Sequence, residues 1–151
     1  MPTATSRSSH RDVTESKAAP TTRAPDVTDE EWQTAFRHLV DPLPRLVRAV
    51  LPQMIERRSG KILLIGSAAA LRGMKRASTY SAARGAQLAY VQAVGVEVAP
   101  HNVQVNAIAP GYIATNNTAA LQADENRNRS IIERIPAGRW GKASDLGGAA
   151  V

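Results

Sequence analysis

The amino-acid sequence predicts an α/β protein built around a parallel sheet, and three observations support this fold class. Two short apolar segments, residues 61–65 and 103–109, have the length and composition of strands from the middle of such a sheet. In the second segment apolar and polar residues alternate, as they do in a strand with two different faces. Between the two segments, from Ser78 to about Pro100, apolar residues recur at helical spacing.

A further helical segment precedes the first strand. Thr28 followed by Glu31 predicts a capping box at its start. Apolar residues then recur at helical spacing as far as residue 54, and the segment ends before Gly60. Pro42 and Pro44 fall inside this segment, so we expect the helix to be kinked or interrupted there.

The composition excludes several classes of protein and of site. The 151 residues include no cysteine, which excludes a disulfide framework and a thiolate metal site. The three histidines show no ligand spacing, so we expect no metal. No apolar run is long enough to span a membrane, and we expect no membrane partner. The net charge of +6 is spread along the chain without interleaved aromatic residues, so we expect no nucleic-acid partner.

The predicted domain organisation is a disordered arm, residues 1–25, followed by one domain, residues 26–151. The arm is rich in Ser, Thr, Ala and Pro and has no apolar periodicity. It also lacks the apolar core of a secretory signal, and we expect a cytoplasmic protein. No glycine precedes Gly60, whereas a dinucleotide-binding fold opens with a strand and a glycine-rich turn that holds the pyrophosphate.

Three residues form the candidate catalytic site. Ser67 follows the carboxyl end of the first strand, where ligands of open parallel sheets collect. Tyr80 and Arg84 are four residues apart and share one face of the following helix. A permanent cation near a phenol favours the phenolate form, and a serine hydroxyl can hold a substrate oxygen beside it. The set predicts general base catalysis, although a buried tyrosine stacked on an arginine is the structural alternative.

This spacing resembles a family signature. Ser67, twelve intervening residues, Tyr80, three more residues and Arg84 are similar to the active-site pattern of halohydrin dehalogenases, within the short-chain dehydrogenase/reductase superfamily. The resemblance implies an incomplete Rossmann-like, doubly wound parallel sheet of which the chain holds the central and C-terminal part. The ordinary dehydrogenases of the superfamily carry lysine where this chain has Arg84, and an asparagine at the position of Leu39.

The C-terminal third resembles a different branch of the superfamily. From residue 110 through Arg139-Trp140-Gly141 it is most similar to sugar-acid dehydrogenases of the deoxygluconate type. In that branch, the loop after the second strand lies on the nicotinamide side of the cofactor. The resemblance implies cofactor-binding roles, in a dehydrogenase, for the following residues: Pro110, Gly111, Ile113 and Thr115.

Three hypotheses about function remain. The favoured one is a dehalogenase-like lyase without a cofactor, in which Tyr80 deprotonates a halo-alcohol that closes to an epoxide and releases halide. Arg84, Leu39 and the missing glycine-rich turn support it. The first alternative is an NAD(P)-dependent oxidoreductase acting on an alcohol, ketone or sugar acid. The second alternative is a non-catalytic fragment, since we expect the chain to be truncated at both ends and inactive for that reason. A small-molecule substrate and a homo-oligomer formed through the helix of residues 80–98 are expected partners.

Overall fold

The computed structural model of the protein describes residues 22–150. Among these residues, two helices precede the first strand, a third connects the two strands, and two short helices follow the second strand. Short 3₁₀ turns connect several of these elements. The helices and strands are α1 (Asp29–Leu39), α2 (Pro42–Glu56), β1 (Gly60–Ile65), α3 (Ser78–Val98), β2 (Val103–Ile108), α4 (Ala119–Ala123) and α5 (Glu125–Ile132). The predicted arm lies mostly outside the described residues, so the arm and the domain boundary stay predictions.

The first helical segment begins and breaks where the sequence predicts. The backbone N–H of Glu31 donates a 3.1 Å hydrogen bond to the Thr28 hydroxyl oxygen and so caps α1. The helical hydrogen-bond ladder breaks between Leu39 and Pro42, although the two residues between them keep right-handed helical dihedral angles, because Pro42 has no N–H to continue the ladder of α1. Pro42 instead opens α2, where its missing donor costs nothing. The predicted interruption is therefore confirmed.

The two strands pair in parallel. Their register runs from Gly60 opposite Val103 to Ile65 opposite Ile108. The pairing continues past the strand ends, because the Gly66 N–H donates to the Ile108 carbonyl at 2.8 Å. The predicted α/β class with a parallel sheet is confirmed.

One face of this sheet carries the core. α2 and α3 cover it and bury a cluster of valines, while the other face leaves Leu63 37% and Ile65 52% exposed. Within residues 22–150, apolar burial is therefore concentrated on one side of the sheet. The buried cluster contains Val47, Val94, Val98 and Val103, and Leu51, Met54, Ile55, Ile62, Tyr90 and Val105 pack against it. Of the helices in the described part of the chain, none is long and apolar enough to cross a membrane.

Candidate active site

The carboxyl ends of β1 and β2 meet at one edge of the sheet, and the two loops that leave this edge lie side by side. The Ala68 N–H, just after β1, donates a 2.8 Å hydrogen bond to the carbonyl of Pro110, just after β2. This contact joins the loop of the predicted catalytic serine to the loop of the predicted cofactor residues. The edge is thus the place where both sets of predicted site residues can act on one ligand.

Ser67 lies at this edge in an extended conformation. Its hydroxyl oxygen accepts a 3.2 Å hydrogen bond from the Ala69 N–H and starts a 3₁₀ turn, Ala68–Ala70. This turn packs against α3, the helix that carries Tyr80. Among residues 22–150, no hydrogen bond joins the side chains of Ser67 and Tyr80.

Tyr80 and Arg84 are in contact, as their spacing on α3 predicts. The guanidinium carbon of Arg84 lies 5.1 Å from the centroid of the Tyr80 ring. This distance is within the range of a cation–π interaction. The structure therefore brings the phenol and the cation together and sets Ser67 at the same edge.

Gln87 is a site residue that the sequence analysis missed. Its side chain is buried, with 4% exposure, and its amide oxygen accepts a 2.9 Å hydrogen bond from Nη1 of Arg84. Its amide nitrogen donates to the carbonyl oxygen of Leu39 at the end of α1. Gln87 lies three residues after Arg84 and seven after Tyr80, so helical spacing places all three on one face. That spacing is the signal that would have identified it.

The loop after β2 is held in place from the C-terminal part of the chain. Ile113 forms an isolated parallel bridge with Gly141, in which the Ala114 N–H donates to the Gly141 carbonyl at 2.8 Å. The Gly141 N–H in turn donates to the Tyr112 carbonyl at 2.9 Å. A β-carbon at position 141 would lie 2.5 Å from Cδ1 of Ile113, so the bridge leaves little room for a side chain there.

Thr115 ends this loop as a helix cap. Its backbone N–H donates to the Thr118 hydroxyl at 3.0 Å, and that hydroxyl donates to the Ile113 carbonyl at 2.8 Å. Tyr112 packs edge-on against Trp140, with 5.4 Å between ring centroids. The loop of the predicted cofactor residues is therefore an ordered part of the fold.

A cavity of about 460 Å³ opens beside this loop. Gly111, Tyr112 and Ile113 of this loop line it, and so does Ala68 of the neighbouring loop. Ser67 and Tyr80 do not line the cavity, but Ala68 directly follows Ser67 in the chain. The cavity therefore lies next to the candidate catalytic residues and is a separate space from the contact between Tyr80 and Arg84.

Three arginines line the same cavity: Arg72, Arg134 and Arg139. Nη1 of Arg139 contacts the Asp145 carboxylate at 2.8 Å. This hydrogen bond lowers the pKa of the Asp145 carboxyl and raises the pKa of the Arg139 guanidinium. Among residues 22–150, Arg72 and Arg134 have no carboxylate partner. Within the described residues, no acidic side chain therefore neutralises the charge of these two arginines.

Comparisons with known proteins find similarity over most of the chain. Residues 9–151 match the family model described as enoyl-(acyl carrier protein) reductase. A 2-dehydro-3-deoxy-D-gluconate 5-dehydrogenase from Bacillus subtilis (strain 168) is 40% identical over 129 residues, which are 85% of this chain and 51% of that protein. A crystal structure of a gluconate 5-dehydrogenase from Burkholderia cenocepacia J2315, in complex with NADP and tartrate, has a TM-score of 0.79 and 31% identity. The match covers 89% of this chain and 53% of the chain in that crystal structure.

The chain thus spans about half the length of the curated relatives that it matches. The superposition confirms the Rossmann-like sheet expected from the resemblance. Another solved structure, named a dehalogenation enzyme, is 29% identical and has a TM-score of 0.83. The match covers 87% of this chain and 55% of that one. The fold is therefore shared by both kinds of enzyme and does not separate them.

The favoured hypothesis of a dehalogenase-like lyase is wrong. Sequence relatives at 37–40% identity are named dehydrogenases and reductases of gluconate derivatives. The expectation that no cofactor takes part is wrong for the same reason, since a solved relative holds NADP. Arg84 in place of lysine misled the prediction, because it is one residue, whereas the similarity to these dehydrogenases extends over most of the chain.

Proposed function

The chain belongs to the short-chain dehydrogenase/reductase superfamily, and on this premise we propose that it carries the proton-transfer site of an NAD(P)-dependent oxidoreductase. The reaction interconverts an alcohol and a carbonyl on a sugar acid. One observation supports the proposal above others: the pair of Tyr80 and Arg84 lies on a helix that packs against the Ser67 loop, and that loop is hydrogen-bonded to the loop of residues 110–115.

Each residue has a definite task in this proposal. Tyr80 takes the proton from the substrate alcohol, or returns it to the carbonyl oxygen in the reverse direction. Arg84 cannot lose its charge, and its guanidinium carbon lies 5.1 Å from the centroid of the Tyr80 ring, so it places a positive charge beside the proton-transferring group. The Ser67 oxygen accepts from the Ala69 N–H, which leaves its own O–H free to donate to the substrate oxygen.

The described residues fit one end of the cofactor. A nicotinamide supplies the hydride acceptor or donor when the cofactor is bound. Gly111 and Ile113 line the cavity beside Ser67, and Pro110 and Thr115 fix the two ends of their loop. These residues fit the nicotinamide end. The described part before Gly60 contains no glycine, so it offers no glycine-rich turn for the pyrophosphate.

A carboxylate-bearing substrate matches the charge of the cavity. Arg72 and Arg134 line it without an acidic partner in the described part, and a guanidinium binds a carboxylate through paired N–H donors. The Nε of Arg134 donates to the Ser130 carbonyl at 2.9 Å, which fixes one side of its fork. This charge supports a sugar acid over a neutral sugar alcohol.

The first experiment measures NAD(P)H formation with gluconate-type acids as substrates. Tyr80→Phe keeps the ring and removes the proton-carrying oxygen, so turnover should fall by ~10²–10⁴-fold. Tyr90→Phe is the matched control, because Tyr90 packs against the core on the same helix and should leave turnover unchanged. Unchanged turnover in Tyr80→Phe, or no nicotinamide-dependent turnover of any such acid by the wild-type protein, would contradict the proposal.

A second experiment tests the substrate class. Arg72→Gln and Arg134→Gln should each raise KM for the acid at least about tenfold, since each removes hydrogen bonds to a charged group. The KM of a neutral sugar alcohol should not change. Arg129→Gln is the control, because Arg129 is exposed on α5 and does not line the cavity. Equal effects on acid and alcohol would rule out a role in carboxylate recognition.

We also propose that two copies pair through α3. Ala89, Ala93 and Val96 are exposed and lie on one face of this helix, and Val96 is 80% exposed. Small side chains allow two helices to approach closely. Light scattering should show a dimer that Ala93→Arg converts to a monomer, whereas Gln104→Arg on the exposed sheet face should leave it intact. A monomeric wild-type protein would contradict this arrangement.

A cytoplasmic location also stays a prediction.

A further inference from the structure

We infer that Gln87 is a positioning residue for the active-site cation: it holds Arg84 over Tyr80 and connects it to the break between α1 and α2. The inference depends on the proposed function only for its effect on turnover. The geometry on which it stands involves residues of the described part alone.

The two ends of the Gln87 amide have complementary partners. A guanidinium can only donate hydrogen bonds and a backbone carbonyl can only accept them. The amide oxygen therefore faces Nη1 of Arg84, at 2.9 Å, and the amide nitrogen faces the Leu39 carbonyl. Because the side chain is only 4% exposed, water competes weakly for either contact.

The helix break makes the Leu39 carbonyl available. In an uninterrupted helix this carbonyl would accept from the N–H of residue 43. Here the Leu43 N–H donates to the Val40 carbonyl at 3.0 Å instead, and Pro42 has no N–H. Gln87 takes the released carbonyl, so the break in the first helical segment serves the site on α3.

Gln87 makes the shorter of the two hydrogen bonds that Arg84 donates among residues 22–150. The other, from Nη1 to the Ile65 carbonyl, measures 3.4 Å. The Nε of Arg84 is buried without a protein partner in the described part. Losing Gln87 would therefore leave a long, flexible side chain with one long hydrogen bond among the described residues, in addition to its contact with the Tyr80 ring.

The neutral amide also preserves the charge of Arg84. A carboxylate at the same place would hold the guanidinium equally well but would offset its positive charge. In the described part, Arg84 forms no salt bridge. Gln87 thus fixes the cation beside Tyr80 and leaves its positive charge without an acidic partner in the described part.

The test uses the Arg84 guanidinium signals in nitrogen-15 NMR spectra of the full chain, assigned with Arg84→Lys. Gln87→Met removes both hydrogen bonds at nearly equal size, so rotation of the guanidinium should speed up at least about tenfold. Gln87→Glu keeps an acceptor for Arg84 and should leave the rotation as slow or make it slower. Gln92→Met is the control, since Gln92 is exposed on the same helix, and it should change nothing.

Unchanged Arg84 rotation in Gln87→Met would overturn the inference. If that variant does not fold, Gln87→Glu decides: slow rotation supports the inference and faster rotation overturns it. In turnover assays, Gln87→Glu should lower kcat and leave KM unchanged, because the cation stays in place but its charge is offset. Since the NMR result does not require turnover, failure of the proposed oxidoreductase function would be recognised separately.

Discussion

Replacing Val98 by alanine is expected to destabilise the protein by about 2 kcal/mol. Two buried carbons contribute ~0.8 kcal/mol each, and the cavity that they leave contributes roughly 1 kcal/mol more. The better helix propensity of alanine offsets about 0.5 kcal/mol of this loss. Val98, the last residue of α3, is 1% exposed and belongs to the same buried cluster as Val103 of β2. Val96, two residues earlier on the same helix, is 80% exposed. Val96→Ala removes the same atoms from water-exposed surface, so it should leave stability unchanged or raise it by about 0.5 kcal/mol.

Urea unfolding followed by circular dichroism measures both variants against the wild-type protein. The difference between the two variants cancels the helix-propensity contribution and isolates burial. Measurements at two protein concentrations identify any part of the Val96 effect that comes from pairing of two α3 helices. Equal destabilisation at positions 96 and 98 would refute the assignment of this face of α3 to the core.

Two further predictions concern close packing and pH. Gly95→Ala should destabilise the protein, because a β-carbon there would lie 3.2 Å from the Val105 carbonyl oxygen. Gly85→Ala has open space around it and should stabilise the protein by roughly 0.5–1 kcal/mol. Thermal unfolding of both variants checks these two expectations. The Arg139 hydrogen bond lowers the pKa of Asp145 in the folded state. Its stabilisation is therefore present above the unfolded value, about 3.9, and is lost as pH falls through the lowered folded value. Asp145→Asn should remove the part of the loss of thermal stability at low pH that comes from this carboxyl. A variant with the same dependence of melting temperature on pH as the wild-type protein would contradict the prediction.

The elements of the fold could be predicted from local rules. The cap at Thr28 follows from a hydroxyl three residues before Glu31, and the break before Pro42 follows from a missing N–H. The inward placement of Val103 and Val105 follows from the alternation of side chains along a strand. Each of these features depends on residues close together in the chain, and for that reason the sequence predicts them.

The contacts that complete the site depend on residues far apart in the chain. Gln87 meets Leu39 across 48 positions, and the bridge from Ile113 reaches Gly141. Neither pair follows from composition or periodicity, because the packing of separate elements decides which side chains meet. The position of Gln87 on the face of Tyr80 and Arg84 was visible in the sequence, but its carbonyl partner was not.

The wrong choice between lyase and oxidoreductase has a physical explanation in Arg84. Lysine and arginine at this position both supply a positive charge beside the phenol at neutral pH, so the identity of the cation does not decide which bond of the substrate breaks. What separates the two reactions is whether a hydride partner lies beside the substrate, and in the proposed function the loop after β2 holds that partner. In this chain the loop of residues 110–115 is ordered, bridged through Ile113 to Gly141, and lines a cavity next to Ser67. A residue that both reactions can use therefore carries less information about the reaction than the similarity to a named dehydrogenase over 85% of the chain.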